Sequence, residues 1–176
     1  MENGKFDTGD GRGAQGRLIR LSARLMAVAG FIEKDSNVAD IGTDHGFLPV
    51  YLAQNGLAQR IIASDKSAGS LKAALRSAEK FGVTDKISFV VAPGLAGVDE
   101  AEVDTIVIAG MGGETIMNIL AEAPWTKRSD LNIIMQPQTK IEILNSWLHE
   151  NGYSIRDTAQ AQEKGRIYTV ILAKSV

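Results

Sequence analysis

The sequence predicts a doubly wound α/β fold: a mostly parallel seven-stranded sheet with an antiparallel last strand and helices on both faces. Seven short apolar runs recur along the 176 residues, helical patterns separate most of them, and two runs carry an acid at their carboxyl end. Strands alternating with crossover helices specify a parallel sheet covered on both faces, with ligands at the carboxyl ends of its strands.

Residues 1 to 16 hold five glycines, Gly4, Gly9, Gly11, Gly13 and Gly16, with hardly an apolar side chain, and are expected to form a flexible tail. One domain is expected over 17 to 176. Leu18, Leu21, Leu25, Val28 and Ile32 recur at helical spacing from Arg17 onward, predicting a first helix. Strands are predicted at Val38 to Ile41, Arg60 to Ser64, Ile87 to Val91, Thr105 to Ala109, Leu131 to Met135, Tyr153 to Thr158 and Ile167 to Ala173. Between them, Leu48 to Gln54 reads as a short helix. Leu71, Leu75, Ala78 and Phe81 form one apolar helical face, Ile116, Ile119 and Leu120 a second, and Ile141, Leu144, Trp147 and Leu148 a third. Leu95 to Glu102 is weakly patterned. Only Ala159 to Arg166, with Gly165 as a turn residue, separates the last two runs, so the final strand is expected to return antiparallel as a hairpin.

Composition bounds the function. Hydrophobic and charged fractions of 44% and 23% are those of an ordinary globular protein. A formal charge of −2 argues against a uniformly basic nucleic-acid surface but leaves room for a local patch. The absence of cysteine removes disulfides and thiolate metal sites. No run is long enough to span a bilayer and no signal peptide is visible, so the cytoplasm is the expected compartment.

The segment Val38-Ala39-Asp40-Ile41-Gly42-Thr43-Asp44-His45-Gly46 carries the first chemical signal. Glycines remove the Cβ atoms that would keep a ligand from the backbone, and aspartate tolerates the left-handed conformation. A second run, Ile61-Ile62-Ala63-Ser64-Asp65, ends in another acid at the spacing of a nucleoside-binding βαβ unit, with Lys66 following. Asp65 is expected to accept ribose hydroxyls, while amides of the glycine turn receive the amino-acid end of a methyl donor. The G-x-G-x-x-G of a dinucleotide site is missing, which favours S-adenosylmethionine over a nicotinamide. Ile108-Ala109-Gly110-Met111-Gly112-Gly113 ends the fourth strand in bare backbone expected to border both the reactive methyl and the acceptor. Gln136-Pro137-Gln138 follows the fifth strand at the same edge, with amides suited to a base edge. A lone pair of histidines argues against metal: His45 is expected to position the loop and His149 to be solvated. Arg17, Arg20 and Arg24 fall at helical spacing, where such charges are commonly solvated but can meet phosphates or the donor's carboxylate, with Arg24 the candidate for function.

Together, Leu21-Ser22-Ala23-Arg24-Leu25, Asp40 through Pro49, Ile108 through Gly113 and Gln136-Pro137 resemble the bacterial tRNA (adenine(22)-N1)-methyltransferase family, from about Leu18 to the end of the chain. The resemblance implies a Rossmann-like class I methyltransferase domain that moves a methyl group from S-adenosylmethionine to N1 of an adenine in tRNA. Cofactor contacts are then expected from Arg24, Asp40, Gly42, Thr43, His45, Gly46, Asp65, Lys66, Pro93, Gly94, Ala109 and Gly110. Asp44, Met111, Gly112, Gln136 and Pro137 are expected around the reacting groups, with Gln136 contacting the base. Three features differ from the family. Ala92-Pro93-Gly94-Leu95 replaces Gly-Asp-Gly-Leu, Thr169 follows Tyr168 in place of glutamate, and the chain stops at Val176 where members continue into a helical extension that helps hold tRNA. These differences keep two rivals open: a module that binds the donor without methylating tRNA, and a methyltransferase for another RNA or a small molecule. The oligomeric state is left open.

Overall fold

Runs dense in isoleucine and valine form strands here because β-branched side chains pack well on both faces of a buried sheet. The computed structural model describes residues 17–176, so the tail expected over 1 to 16 lies outside the described residues. Along the chain come α1 (Ala23–Ala29), β1 (Ser36–Ile41), α2 (Phe47–Asn55), β2 (Ala58–Asp65), α3 (Ala68–Lys80), β3 (Ser88–Val91), β4 (Thr105–Met111), α4 (Gly113–Ala121), β5 (Asn132–Pro137), α5 (Ile141–Glu150), β6 (Tyr153–Glu163) and β7 (Arg166–Ser175). The strands form one seven-stranded sheet in the order β3-β2-β1-β4-β5-β7-β6. The first five run parallel, and β7 lies antiparallel between β5 and β6. The expected Rossmann-like sheet with an antiparallel last strand is what the chain forms.

Alternation along each strand divides the core in two. Ala39, Ile41, Ile106, Ile108, Ile133 and Met135 face one side, where Ile116 and Leu120 of α4 and Leu144 and Leu148 of α5 cover them. Their neighbours Val38, Ile61, Ala63, Val107 and Ile134 face the other, under Val28 of α1, Leu48 and Leu52 of α2 and Ala78 of α3. Strand order reverses between β1 and β4, and the gap this opens at their carboxyl ends is where such sheets bind ligands.

The first helix differs from expectation: it begins at Ala23, not near Arg17. Ser22 is its N-cap, its hydroxyl accepting from the Leu25 N–H, and residues before it run over α2, where Gln54 Oε1 accepts from the Ile19 N–H and Gln54 Nε2 donates to the Arg17 carbonyl. Arg17 and Arg20 therefore share no helical face with Arg24. Strand β5 is also longer than predicted, continuing through Pro137, which pairs with Met111.

Candidate active site

Each parallel strand delivers its following loop to the same edge, and together these loops enclose a crevice of about 970 Å³. Asp40 and the turn after β1, Asp65 and Lys66 at the end of β2, Pro93 and Gly94 after β3, Ala109 through Gly112 at the end of β4 and Gln138 after β5 all line it. A pocket of that size suits a nucleoside-sized ligand. The two acids separated by 25 positions thus do converge on one opening.

The β1 turn is built from left-handed backbone at alternate residues, Gly42 (φ 72°), Asp44 (φ 52°) and Gly46 (φ 68°), as the glycine–aspartate pattern predicts. Most of its amides, however, are engaged within the protein. The Gly42 and Thr43 N–H groups both donate to the Ser64 carbonyl at 2.8 and 3.0 Å, the Asp44 N–H donates to Asp65 Oδ2 at 3.2 Å, and the Gly46 N–H donates to the Thr43 carbonyl at 2.9 Å. The first three bonds pin the turn to the end of β2, so of the turn amides expected to receive the amino-acid end of the donor only that of His45 has no partner among the described residues.

Gly46 is a second correction, because it lies outside the crevice lining. A Cβ there would stand 2.7 Å from the Ala74 Cβ, so glycine is required for α2 to start against α3. Gly42 does face the crevice, and the Met111 methyl occupies the space where its side chain would begin.

Asp40 is almost wholly buried. Burial pushes its carboxyl from 3.8 up to about 6, with Thr43 opposing, Asp65 adding and Arg24 opposing in decreasing measure. Thr43 Oγ1, which bears on the Asp40 carboxyl, and Ser64 Oγ near the end of β2 are both buried without a hydrogen-bond partner of ordinary length among the described residues. Asp65 is held as an N-terminal anchor of α3, its Oδ1 accepting from the Ser67 N–H at 2.8 Å, with lone pairs left over for the crevice. His45 and Asp44 are exposed at the rim, their side chains 57% and 71% accessible, and the His45 ring stacks on Phe47 at 5.5 Å between centroids.

At the opposite end from Pro93, Arg24 is fixed from several sides. Its Nη1 donates to Gln136 Oε1 at 2.9 Å and its guanidinium lies 5.9 Å from the Tyr168 ring centre. Its backbone N–H donates to Glu163 Oε2, and that N–H together with the Ser22 side chain holds the Glu163 carboxyl below its usual range. Gln138, whose amide the sequence offers to a base edge, lines the crevice, and so do Glu163, Ser22 and Phe47, for which the sequence suggests no contact. For Glu163 no local signal exists, since it reaches the site from the hairpin across 139 positions.

Gln136 and Pro137 do not line the crevice; both are buried. The Gln136 side-chain oxygen also accepts from the Gly110 N–H at 3.2 Å, and Nε2 donates to the Pro137 carbonyl at 2.9 Å, so the amide is tied into the protein and buried away from a base in the crevice. It supports Arg24 and Gly110 instead. The glycine triplet is similarly explained in part by packing: Gly110 and Gly112 line the crevice, whereas a Cβ on Gly113 would fall 2.8 Å from the Thr139 carbonyl oxygen. Among the described residues no group of three His, Cys, Asp or Glu side chains is placed to hold a metal, and no helix is long and apolar enough to cross a membrane.

Comparison with known proteins agrees with this geometry. Residues 21–171 match the family model described as a methyltransferase domain. The chain is 34% identical over 157 residues to the tRNA (adenine(22)-N(1))-methyltransferase of Bacillus subtilis, covering 89% of this chain and 66% of that protein. It therefore spans just under two thirds of that relative's length. The crystal structure of the B. subtilis m1A22 tRNA methyltransferase superposes with a TM-score of 0.84 at 34% identity, covering 90% of this chain and 68% of that one. The Mycoplasma capricolum TrmK structure in complex with S-adenosylhomocysteine superposes with a TM-score of 0.77 at 33% identity, covering 88% and 69%.

Proposed function

Because the chain belongs to the bacterial tRNA (adenine(22)-N1)-methyltransferase family of methyltransferase-domain proteins, we propose that it uses S-adenosylmethionine to methylate N1 of adenine 22 in tRNA. Residues 17 to 176 are its catalytic domain, and the cytoplasm, where tRNA is found, is its compartment. The observation that carries this reading is the meeting of Asp40, Asp65, Arg24 and the glycine-lined end of β4 around one nucleoside-sized crevice.

The residues present fit the donor. Asp65 keeps lone pairs for two ribose hydroxyls beside Lys66. Pro93 and Gly94, backed by Ile119, border an apolar slot for its adenine. Asp40 and Arg24 present opposite charges suited to its ammonium and carboxylate, and the orphaned Thr43 hydroxyl beside Asp40 supports a polar ligand there. Ala109, Gly110 and Gly112 leave bare backbone beside Met111, where a planar base can approach. When bound, the donor supplies an electrophilic methyl on a positively charged sulfur.

Adenine N1 carries an available lone pair, so no general base has to act first. The work of the protein is to hold the base unstacked and in line. Positive charge then moves toward the adenine ring, and the Asp44 carboxylate at the rim is suited to stabilise it. His45 acts by stacking on Phe47 and holding the rim. Incubation with labelled donor and bulk tRNA, followed by nucleoside analysis, tests the proposal. N1-methyladenosine is the expected product; donor binding without product, or a different methylated species, would overturn it.

A further inference from the structure

The β5–α5 turn is seated on the glycine triplet by a short ladder. Gly110 N–H donates to Gln136 Oε1 at 3.2 Å, Gln138 N–H donates to the Met111 carbonyl at 2.8 Å, and Gly113 N–H donates to the Thr139 carbonyl at 3.0 Å. Close approach explains why side chains are missing at these positions: a Cβ on Gly112 would already press to 3.1 Å from Thr139 Oγ1. The backbone of Gln138 is thereby fixed, following a buried proline, while its side chain stands exposed in the crevice lining. Gln138 Nε2 lies 3.7 Å from the point where a Gly110 side chain would begin, beside Arg24. Among the described residues its amide has no hydrogen-bond partner, in contrast with the buried, hydrogen-bonded amide of Gln136.

An unpaired carboxamide carried on a fixed backbone beside bare glycines presents one acceptor and two donors to whatever planar group lies there. If N1 of an adenine is to attack, its lone pair cannot be spent on a hydrogen bond. The remaining edge of adenine places the N7 acceptor next to the N6 donor, and the glutamine carboxamide complements it in two bonds, with Nε2–H donating to N7 and Oε1 accepting from N6–H. Guanine shows acceptors at both corresponding positions, so the same carboxamide leaves one of them facing its own oxygen.

We propose that Gln138 is the specificity-determining residue for the acceptor base, gripping adenine by its N6/N7 edge and leaving N1 free toward the crevice. This rests on the tRNA methyltransferase reading above. No proton or electron pair passes through Gln138; it selects and orients only.

The test pairs the variant Gln138→Ala with tRNA carrying 7-deazaadenosine at position 22, in which a carbon replaces N7. Wild-type protein should lose about 10- to 100-fold in kcat/KM on the deaza substrate, the range of one good base contact. Gln138→Ala should lose a similar factor on ordinary tRNA and little more on the deaza substrate, with donor affinity and thermal stability unchanged. Any effect of the carbon on N1 reactivity cancels in that comparison. Equal sensitivity of both proteins to the deaza substitution, or full activity of Gln138→Ala, would overturn the assignment while leaving the methyltransferase reading intact. Absence of N1-methyladenosine from wild-type protein on ordinary tRNA overturns both.

Discussion

Replacing Asp40 by asparagine should make the donor-free protein more stable and the enzyme worse. The folded carboxyl sits near 6 against 3.8 for the free side chain, because burial disfavours its charge. The folded protein therefore binds the proton more tightly than the unfolded chain does, and protonation contributes stability that is fully present below about 3.8 and lost as pH rises through about 6. Above that pH the ionised group costs about 3 kcal/mol relative to its neutral form. An asparagine of the same shape carries no charge, so at pH 7.5 the variant should exceed wild type by up to ~3 kcal/mol, on the order of 6–12 °C in melting temperature for a chain of this size. Near pH 4 the two should be within a few tenths of a kcal/mol, roughly the residual linkage. Denaturant titrations of both proteins between pH 4 and 8 measure this, and subtracting one curve from the other removes every other titrating group. Calorimetry should show donor affinity falling at least about 10-fold in the variant, since a cationic ammonium no longer meets an anion. A stability difference that is flat with pH, or an Asp40→Asn protein less stable than wild type at pH 7.5, would refute the reasoning.

Three further substitutions separate the roles of neighbouring residues. Asp44→Ala should lower kcat by about 10-fold, a modest factor because the side chain is exposed and its field is screened, with donor affinity nearly unchanged by calorimetry. Gly46→Ala should destabilise the fold by roughly 2–4 kcal/mol in denaturant titrations, combining the left-handed backbone with the contact on Ala74, while specific activity per folded molecule is kept. Gln136→Leu removes the acceptor shared by Arg24 and the Gly110 amide, so unfolding measurements should show a loss of about 1–3 kcal/mol. The same variant should bind donor less tightly, because Arg24 loses its support.

The strands and their terminal acids were legible because a buried parallel strand leaves a continuous apolar run, and Asp40 and Asp65 interrupt two such runs where water and ligand begin. Glycines were harder. Gly42 and Gly46 look alike in sequence, but one faces the crevice and the other a helix, and only the fold says which. Gln136 reads as an exposed amide because the apolar run ends at Met135; the strand continues two residues further, and its pairing with Ala109 puts Gln136 inside. Helical spacing ran unbroken through Ser22, hiding that this serine caps the helix instead of belonging to it. Glu163 was invisible to any local pattern.

The contact between Glu163 and the start of α1 has a consequence for the order of assembly. As the chain emerges from the ribosome, α1 and the glycine turn are made early, yet the carboxylate that steadies Arg24 arrives about 139 positions later. Loop closure over such a distance comes late in folding. A nascent polypeptide can thus lay down its sheet centre while the wall of the crevice that Glu163 completes is still missing.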